Sequence, residues 1–228
     1  MVYHMTTEDN ILFAKRNVVD SIYKEAKLEG VGGTFLDTKQ IYEGGVISGM
    51  KTEEIVLINN LKHAWQFVFD TIDVPVDIGY VRQLNSIVGA NLNLLPGEIR
   101  STDVSIGGTT WKPDLPEPDT IKAVLQRFEN TSEPAEHRIL GTFTQICKGQ
   151  WFYDGNKRTA QLIANKELIA NGAGILAIPE EHIVAWEEHL LDYYVNNDEE
   201  TFVSFLIDTS IDGIDSPLSN NLTQKGIL

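Results

Sequence analysis

Between two stretches of helical patterning the chain reads Gly149-Gln150-Trp151-Phe152-Tyr153-Asp154-Gly155-Asn156-Lys157-Arg158-Thr159-Ala160. Gly155-Asn156 suits a tight turn, and Lys157 onward suits the first turn of a helix. A helix N-terminus carries unsatisfied N–H donors and partial positive charge, so it favours anions and disfavours cations. Lys157 and Arg158 stand there nonetheless. Two cations at the positive end of a helix make sense if an external anion lies among them, and a phosphate is the obvious one. Asp154 would be repelled by that phosphate unless a divalent ion bridged the two, which makes it a candidate magnesium ligand. The same residues also suit a plain turn, with Asp154 or Asn156 as N-cap and Lys157-Arg158 as a solvated pair, and the segment alone leaves both readings open. A P-loop is excluded, because Lys157 follows Asn156 rather than glycine and the Gly149-to-Gly155 spacing does not match.

The elements that must hold this loop are helical. Residues 8–28 place Ile11, Leu12, Val18, Val19, Ile22 and Leu28 at spacings of three and four, with Gly30 as a stop. Residues 53–71 repeat the pattern with Val56, Leu57, Leu61, Ala64, Trp65, Val68 and Phe69, and residues 78–92 with Val81, Leu84, Ile87 and Val88. Helical patterning returns at 118–130, 134–147, 157–171, 179–195 and 198–211, with Pro118, Pro134 and Pro179 suited to first turns. Between 96 and 118, Pro96, Gly97, Gly107, Gly108, Pro113, Pro116 and Pro118 break the periodicity while Val104-Ser105-Ile106 alternates, which predicts a short β-hairpin flap. The expected fold is all-α, about eight helices in a single domain over residues 1–211, followed by a flexible tail over 212–228 rich in Ser, Asn, Gly and Asp. No internal repeat is visible.

At 228 residues, with 42% hydrophobic and 22% charged side chains, the chain can bury one sizeable core. Its 33 acidic and 18 basic side chains give a formal charge of −15, which repels a polyphosphate backbone and argues against nucleic acid as partner. A small nucleotide is still compatible, because a local cluster of cations and N–H groups binds phosphate whatever the global charge. The single cysteine, Cys147, excludes an intramolecular disulfide, sits in an apolar stretch as a small hydrophobe, and suits a reducing compartment. No basic segment leads into an apolar run at the N-terminus, and no window approaches 18 consecutive apolar residues, so the expectation is a cytoplasmic protein without membrane contact.

Residues 150–159 resemble the signature of the Fic (Fido) family, His-Pro-Phe-x-Asp-Gly-Asn-(Gly/Lys)-Arg, and the Asn-Lys-Arg-Thr-Ala ending is similar to the branch that includes Doc-type toxins. Three other stretches resemble the family in the right order. Leu28-Glu29-Gly30 with Thr34 resembles the inhibitory helix motif Ser/Thr-x-x-x-Glu-Gly/Asn. Pro96-Gly97-Glu98-Ile99-Arg100 through Val104-x-Ile106-Gly107 resembles the approach to the flap that docks a target. Leu190 to Tyr194 resembles the Leu-x-x-Tyr-Tyr of a later helix. The resemblance implies a mostly helical protein that transfers AMP, or another phosphate-containing group, to a protein hydroxyl with ATP and magnesium. By the same resemblance Asp154 would hold the metal, and Gly155 and Asn156 would shape the anion hole. Lys157 and Arg158 would bind phosphate, Glu29 would inhibit, and a protein segment would dock along 100–116. Phe152 fits a core anchor for the loop.

The chain departs from that pattern at its most reactive position. Gln150 stands where the family has the histidine that accepts the proton, and a carboxamide has no useful basicity. A positioned general base typically contributes about 10²–10⁴ in rate, so AMP transfer is expected to be severely weakened. Nothing in the sequence places His4, His63, His137, His182 or His189 at the site. Gln161 replaces a second arginine, and Glu25 takes the Ser/Thr position of the inhibitory motif. The leading expectation is a nucleotide-binding pseudoenzyme of this family. The alternatives are a transferase that uses another base or donor, with Asp154 or Glu29 assisting, a non-enzymatic regulatory module, and a helical domain whose loop matches by chance. A homo-oligomer is compatible with all of these.

Overall fold

The computed structural model describes residues 3–214. The element order is α1 (Thr7–Leu28), α2 (Phe35–Tyr42), α3 (Thr52–Asp70), α4 (Ile78–Val88), α5 (Pro118–Gln126), α6 (Ala135–Gly149), α7 (Asn156–Ala170), β1 (Ile175–Leu176), α8 (Ile183–Asn196), α9 (Glu199–Thr209) and β2 (Ile211–Asp212). Short 3₁₀ turns at Arg127–Glu129 and Glu180–His182 follow α5 and precede α8. Among the described residues the regular structure is thus helical apart from the two-residue antiparallel pair of β1 and β2 and one isolated bridge. None of the helices among the described residues is long and apolar enough to cross a membrane.

Helix α7 is the axis of the fold. Twelve of its fifteen residues are buried, so it is covered on every face, by α1, α3, α4 and α6. Three of its buried polar residues donate to backbone carbonyls: Asn165 Nδ2 and Gln161 Nε2 to Leu176, and Lys166 Nζ to Ile72. The large side chains Trp65, Trp186, Phe143 and Phe202 fill the remaining core. Each large apolar side chain of this kind contributes about 1.5–3 kcal/mol on burial. A loop leading into such a helix has one rigid end.

The structure departs from the sequence reading at four places. The stretch 35–42 is helical although its apolar period is short; Thr34 and Asp37 form a reciprocal capping box, and this local hydrogen bonding starts the helix. Pro118 occupies a first-turn position as expected, whereas Pro134 and Pro179 lie one residue earlier, at the caps. The flap forms no hairpin. The one bridge in its neighbourhood pairs Ile99 with Phe152 of the motif loop, and residues 101–117 contain no strand. Arg100 explains this, because its buried guanidinium donates to the carbonyls of Gln150, Thr102, Pro113 and Asp114 and so binds both ends of the flap to one point. Asp212, assigned to the tail by composition, pairs with Ile175, while 215–228 lie outside the described residues.

Candidate nucleotide site

Helix α6 ends where Gln150 turns left-handed, at φ 43° and ψ 55°. Five residues later Gly155 is again left-handed at φ 76°, and α7 begins. Glycine is required at this second turn for two reasons. Its φ disfavours an L side chain, and an added Cβ would stand 3.1 Å from Asn85 Nδ2 and 3.3 Å from Val88 Cγ1. Asn156 closes the loop between the turns. Its Oδ1 accepts from the Phe152 N–H at 2.9 Å, while its Nδ2 donates to the Phe152 carbonyl at 2.8 Å and to Gln150 Oε1 at 3.1 Å. Phe152 is buried in the core and anchors the loop, as its place in the sequence suggested.

Two side chains that sequence reasoning missed complete the scaffold. Asn85 on α4 is buried; its Nδ2 donates to the Asp154 carbonyl and to Thr159 Oγ1, and its Oδ1 accepts from the Gly97 N–H at 2.8 Å. It joins α4, the start of the flap and the motif loop in one residue. Trp111, from the flap, stacks on Tyr194 of α8 with ring centroids 4.9 Å apart. The signal for Asn85 was a polar residue on an otherwise apolar helix face. Trp111 carried none.

Gln150 itself is fully engaged. Its Nε2 donates to the Cys147 carbonyl at 2.7 Å and to Tyr194 Oη at 3.4 Å, and its Oε1 accepts from Asn156. Tyr194 donates in turn to the Cys147 carbonyl. Burial holds the Tyr194 phenol well above its ordinary range and pushes the Cys147 thiol up to about 12, so neither group offers a base or a nucleophile near neutral pH. Cys147 is the buried small hydrophobe the sequence suggested.

The ionic centre lies at the start of α7. The first helical bond there runs from the Thr159 N–H to the Gly155 carbonyl, so the N–H groups of Asn156, Lys157 and Arg158 precede the ladder. Glu29, at the end of α1, supplies the anion. Its Oε2 lies 3.1 Å from Arg158 Nε and its Oε1 lies 3.9 Å from Lys157 Nζ. The Arg158 contact is an ion pair without hydrogen-bond geometry at Nε, and Nη1 is buried with no hydrogen-bond partner. Arg158 Nη2 also lies 3.3 Å from Asp154 Oδ1, which accepts from the Gly155 N–H. Arg158 is only 5% exposed, whereas Asp154 is 56% exposed.

These residues wall a cavity of about 510 Å³. Glu29, Gln150, Tyr153, Asp154, Gly155, Asn156 and Lys157 form one side, and Ile106, Trp186, Leu190, Leu191 and Tyr194 form a largely apolar other side. Gly108 lets the flap cross α8 here, since an added Cβ would meet Leu191 Cδ1 at 3.3 Å. A second cavity of similar size shares Glu29 and Asp154 with the first, and Arg158 lines only the second. None of the five histidines lines either cavity. Gln161 is buried against Leu176 and takes no part in the ionic centre.

Magnesium suits this geometry in one way only. Among the described residues, no three acidic, histidine or cysteine side chains cluster to hold a metal. A single exposed carboxylate on the cavity wall, Asp154, fits an ion that arrives with phosphate ligands and keeps its waters, which is magnesium's usual mode. It does not fit a resident, protein-caged ion.

Residues 75–168 match the Fic/DOC family. This is a Fic-type fold. Among curated relatives, the protein adenylyltransferases Fic of Drosophila grimshawi and Drosophila melanogaster are each 25% identical over 199 residues; the match covers 82% of this chain but 40% and 39% of theirs. The chain thus spans about two fifths of those relatives' length. Among solved structures, a Fic domain containing signaling protein from Bacteroides thetaiotaomicron superposes with a TM-score of 0.76 at 17% identity, over 91% of this chain and 88% of that one. A fragment of Fic-1 from C. elegans gives 0.73 at 20% identity, over 84% and 59%.

Proposed function

We propose that the cavity binds a magnesium-bound adenine nucleotide, that Glu29 holds its terminal phosphate position closed, and that AMP transfer to a protein hydroxyl is impaired at Gln150. One observation carries this reading: the anion that Lys157 and Arg158 require is present, and it is a carboxylate from a helix 129 residues away in sequence rather than solvent. A carboxylate seated on a guanidinium is a stand-in for a phosphate oxygen in charge and in hydrogen-bonding capacity. Nucleotide phosphate would displace it, with the N–H groups of Asn156 to Arg158 and the Lys157 ammonium as donors and Asp154 facing the metal. Magnesium, when bound, neutralises phosphate charge during transfer.

The acceptor side supports impairment rather than a substituted base. The Gln150 carboxamide is oriented by three hydrogen bonds, and an amide so held positions groups without accepting a proton. A target segment would lie along 100–116, where the flap is pinned at Arg100 and Trp111 and its backbone between is free of strand partners. Calorimetry with ATP and magnesium tests the reading. Binding in the millimolar range or tighter is expected for the wild type, and no detectable heat at millimolar nucleotide in either wild type or Glu29→Gly would sink the phosphate-site assignment.

A further inference from the structure

Helix α1 carries a second carboxylate one turn before Glu29. Glu25 is 1% exposed. Its Oε1 accepts from Trp65 Nε1 of α3 at 3.0 Å, and its Oε2 is buried with no hydrogen-bond partner. The charged groups that act on it are Glu29 on its own helix and Arg158 on α7, while α3 faces it with the neutral indole of Trp65. Arg158 Nη1 is buried and likewise without a hydrogen-bond partner. The guanidinium is ion-paired with both Glu29 and Asp154, and Glu25, one turn from Glu29 on the same helix, is a further buried carboxylate within its field.

We infer that Glu25 is a proton-gated competitor for Arg158: as a neutral acid it leaves the guanidinium to Asp154 and to Glu29 or a nucleotide phosphate, and once ionised it claims part of that charge itself. Isolation in the core favours the neutral form, because a buried carboxylate with one hydrogen bond and an unmatched oxygen is poorly compensated. Burial, reinforced by Glu29, pushes Glu25 up to about 8 against the opposing pull of the Trp65 hydrogen bond and Arg158. The device deepens the nucleotide reading and rests on it. A phosphate that replaces Glu29 brings more negative charge to the same guanidinium, so binding must raise Glu25 further and take up a proton. By linkage, nucleotide affinity then falls as pH rises through about 8.

The experiment is ATP–magnesium calorimetry between pH 7 and 9.5 on wild type and Glu25→Gln, a window in which phosphate, with a second pKa of about 6, is already ionised. Wild-type affinity is expected to fall about tenfold across the window, one unit of coupling, and Glu25→Gln to stay flat. Parallel slopes in the two proteins overturn the inference while leaving the nucleotide site intact; absence of binding in both at every pH overturns the site itself. Should Glu25→Gln not fold, carboxyl-carbon NMR of the wild type decides the matter. Glu25 is expected to titrate near 8 and to move upward with ATP, and a Glu25 that titrates in the ordinary carboxylate range, or ignores ATP, overturns the proposal.

Discussion

The two ends of the motif loop differ in what they can do. At the α7 end, Gly155, Asn156, Lys157 and Arg158 supply a turn, a loop clamp and two cations, and the Glu29 carboxylate lies against those cations. At the Gln150 end the scaffold is equally intact, with Asn156, Tyr194 and the Cys147 carbonyl all engaged, yet the group they orient cannot take a proton. On the proposed reading, binding and proton transfer are separable in this fold. Positioning an anion needs donors at fixed places, which many residues share, whereas deprotonating a hydroxyl needs one lone pair of suitable basicity, which a single substitution removes.

The largest expected effect breaks the comparison at its weaker end. Gln150→His inserts an imidazole, which ordinarily titrates at about 6.5, into a site whose neighbours already hold the position. Labelling of lysate proteins or of the chain itself with labelled ATP and magnesium should rise by about 10²–10⁴ over wild type. Wild-type labelling that is robust and survives Gln150→Ala would show another base at work. A folded Gln150→His that binds nucleotide and never labels would move the defect elsewhere, and Gln161, turned away toward Leu176, is the first place to look.

A second prediction concerns what the closed end costs in stability. Glu25 titrates near 8 in the folded chain against an ordinary value of 4.5, so the folded chain holds a proton that the unfolded chain releases. Stability should therefore fall as pH rises through the window between those values and level off above it. Glu25→Gln removes that penalty, and chemical denaturation should find it more stable than wild type by up to about 3 kcal/mol at pH 7, with no advantage below about pH 4. A variant that is less stable at every pH would mean the carboxyl's packing and its bond to Trp65 outweigh its proton.

The third acts on the phosphate contact directly. Arg158→Ala should weaken ATP binding by the worth of a charged hydrogen bond, about 1.5–3 kcal/mol, while unfolding monitored in parallel separates this from loss of the Glu29 and Asp154 contacts. Unchanged affinity would place the nucleotide without Arg158, in keeping with the fact that this side chain faces the second cavity rather than the first.

Local chemistry was legible in the sequence and long-range pairing was not. The turn at Gly155, the loop's core anchor Phe152 and the helix that follows can all be inferred within about ten residues, because glycine conformation, ring burial and capping act at short range. The flap misleads for the same reason: alternation at Val104-Ser105-Ile106 reads as strand, but Arg100 spends its N–H groups on carbonyls at both ends of the segment, and no pattern in 100–116 announces that. Helix α2 is overlooked because apolar period is a poor guide over eight residues, although its Thr34-x-x-Asp37 cap is visible. That Glu29 lies on Lys157 and Arg158 follows only from the packing of α1 on α7, and before the fold is known it rests on resemblance alone.

The smallest expected effect sharpens the comparison at its closed end. On the proposed reading Glu29 competes for the cations at the head of α7, but it is 17% exposed and shares Lys157, itself 38% exposed, with solvent. Solvent screening reduces that second contact to a fraction of a kcal/mol, so the competition rests mainly on the buried Arg158. Only a ligand group that needs the same guanidinium should feel it. Glu29→Gly is accordingly expected to tighten ATP by about five- to tenfold, roughly 1 kcal/mol for one partly screened ionic contact, and to leave AMP nearly unchanged because AMP lacks the terminal phosphate. Calorimetry with both nucleotides on both proteins gives the four affinities required. An equal gain for ATP and AMP would mean that Glu29 restricts entry to the cavity as a whole, and no gain for either would mean that Arg158 and Glu29 are a structural pair and that the phosphate lies elsewhere along the α7 N-terminus.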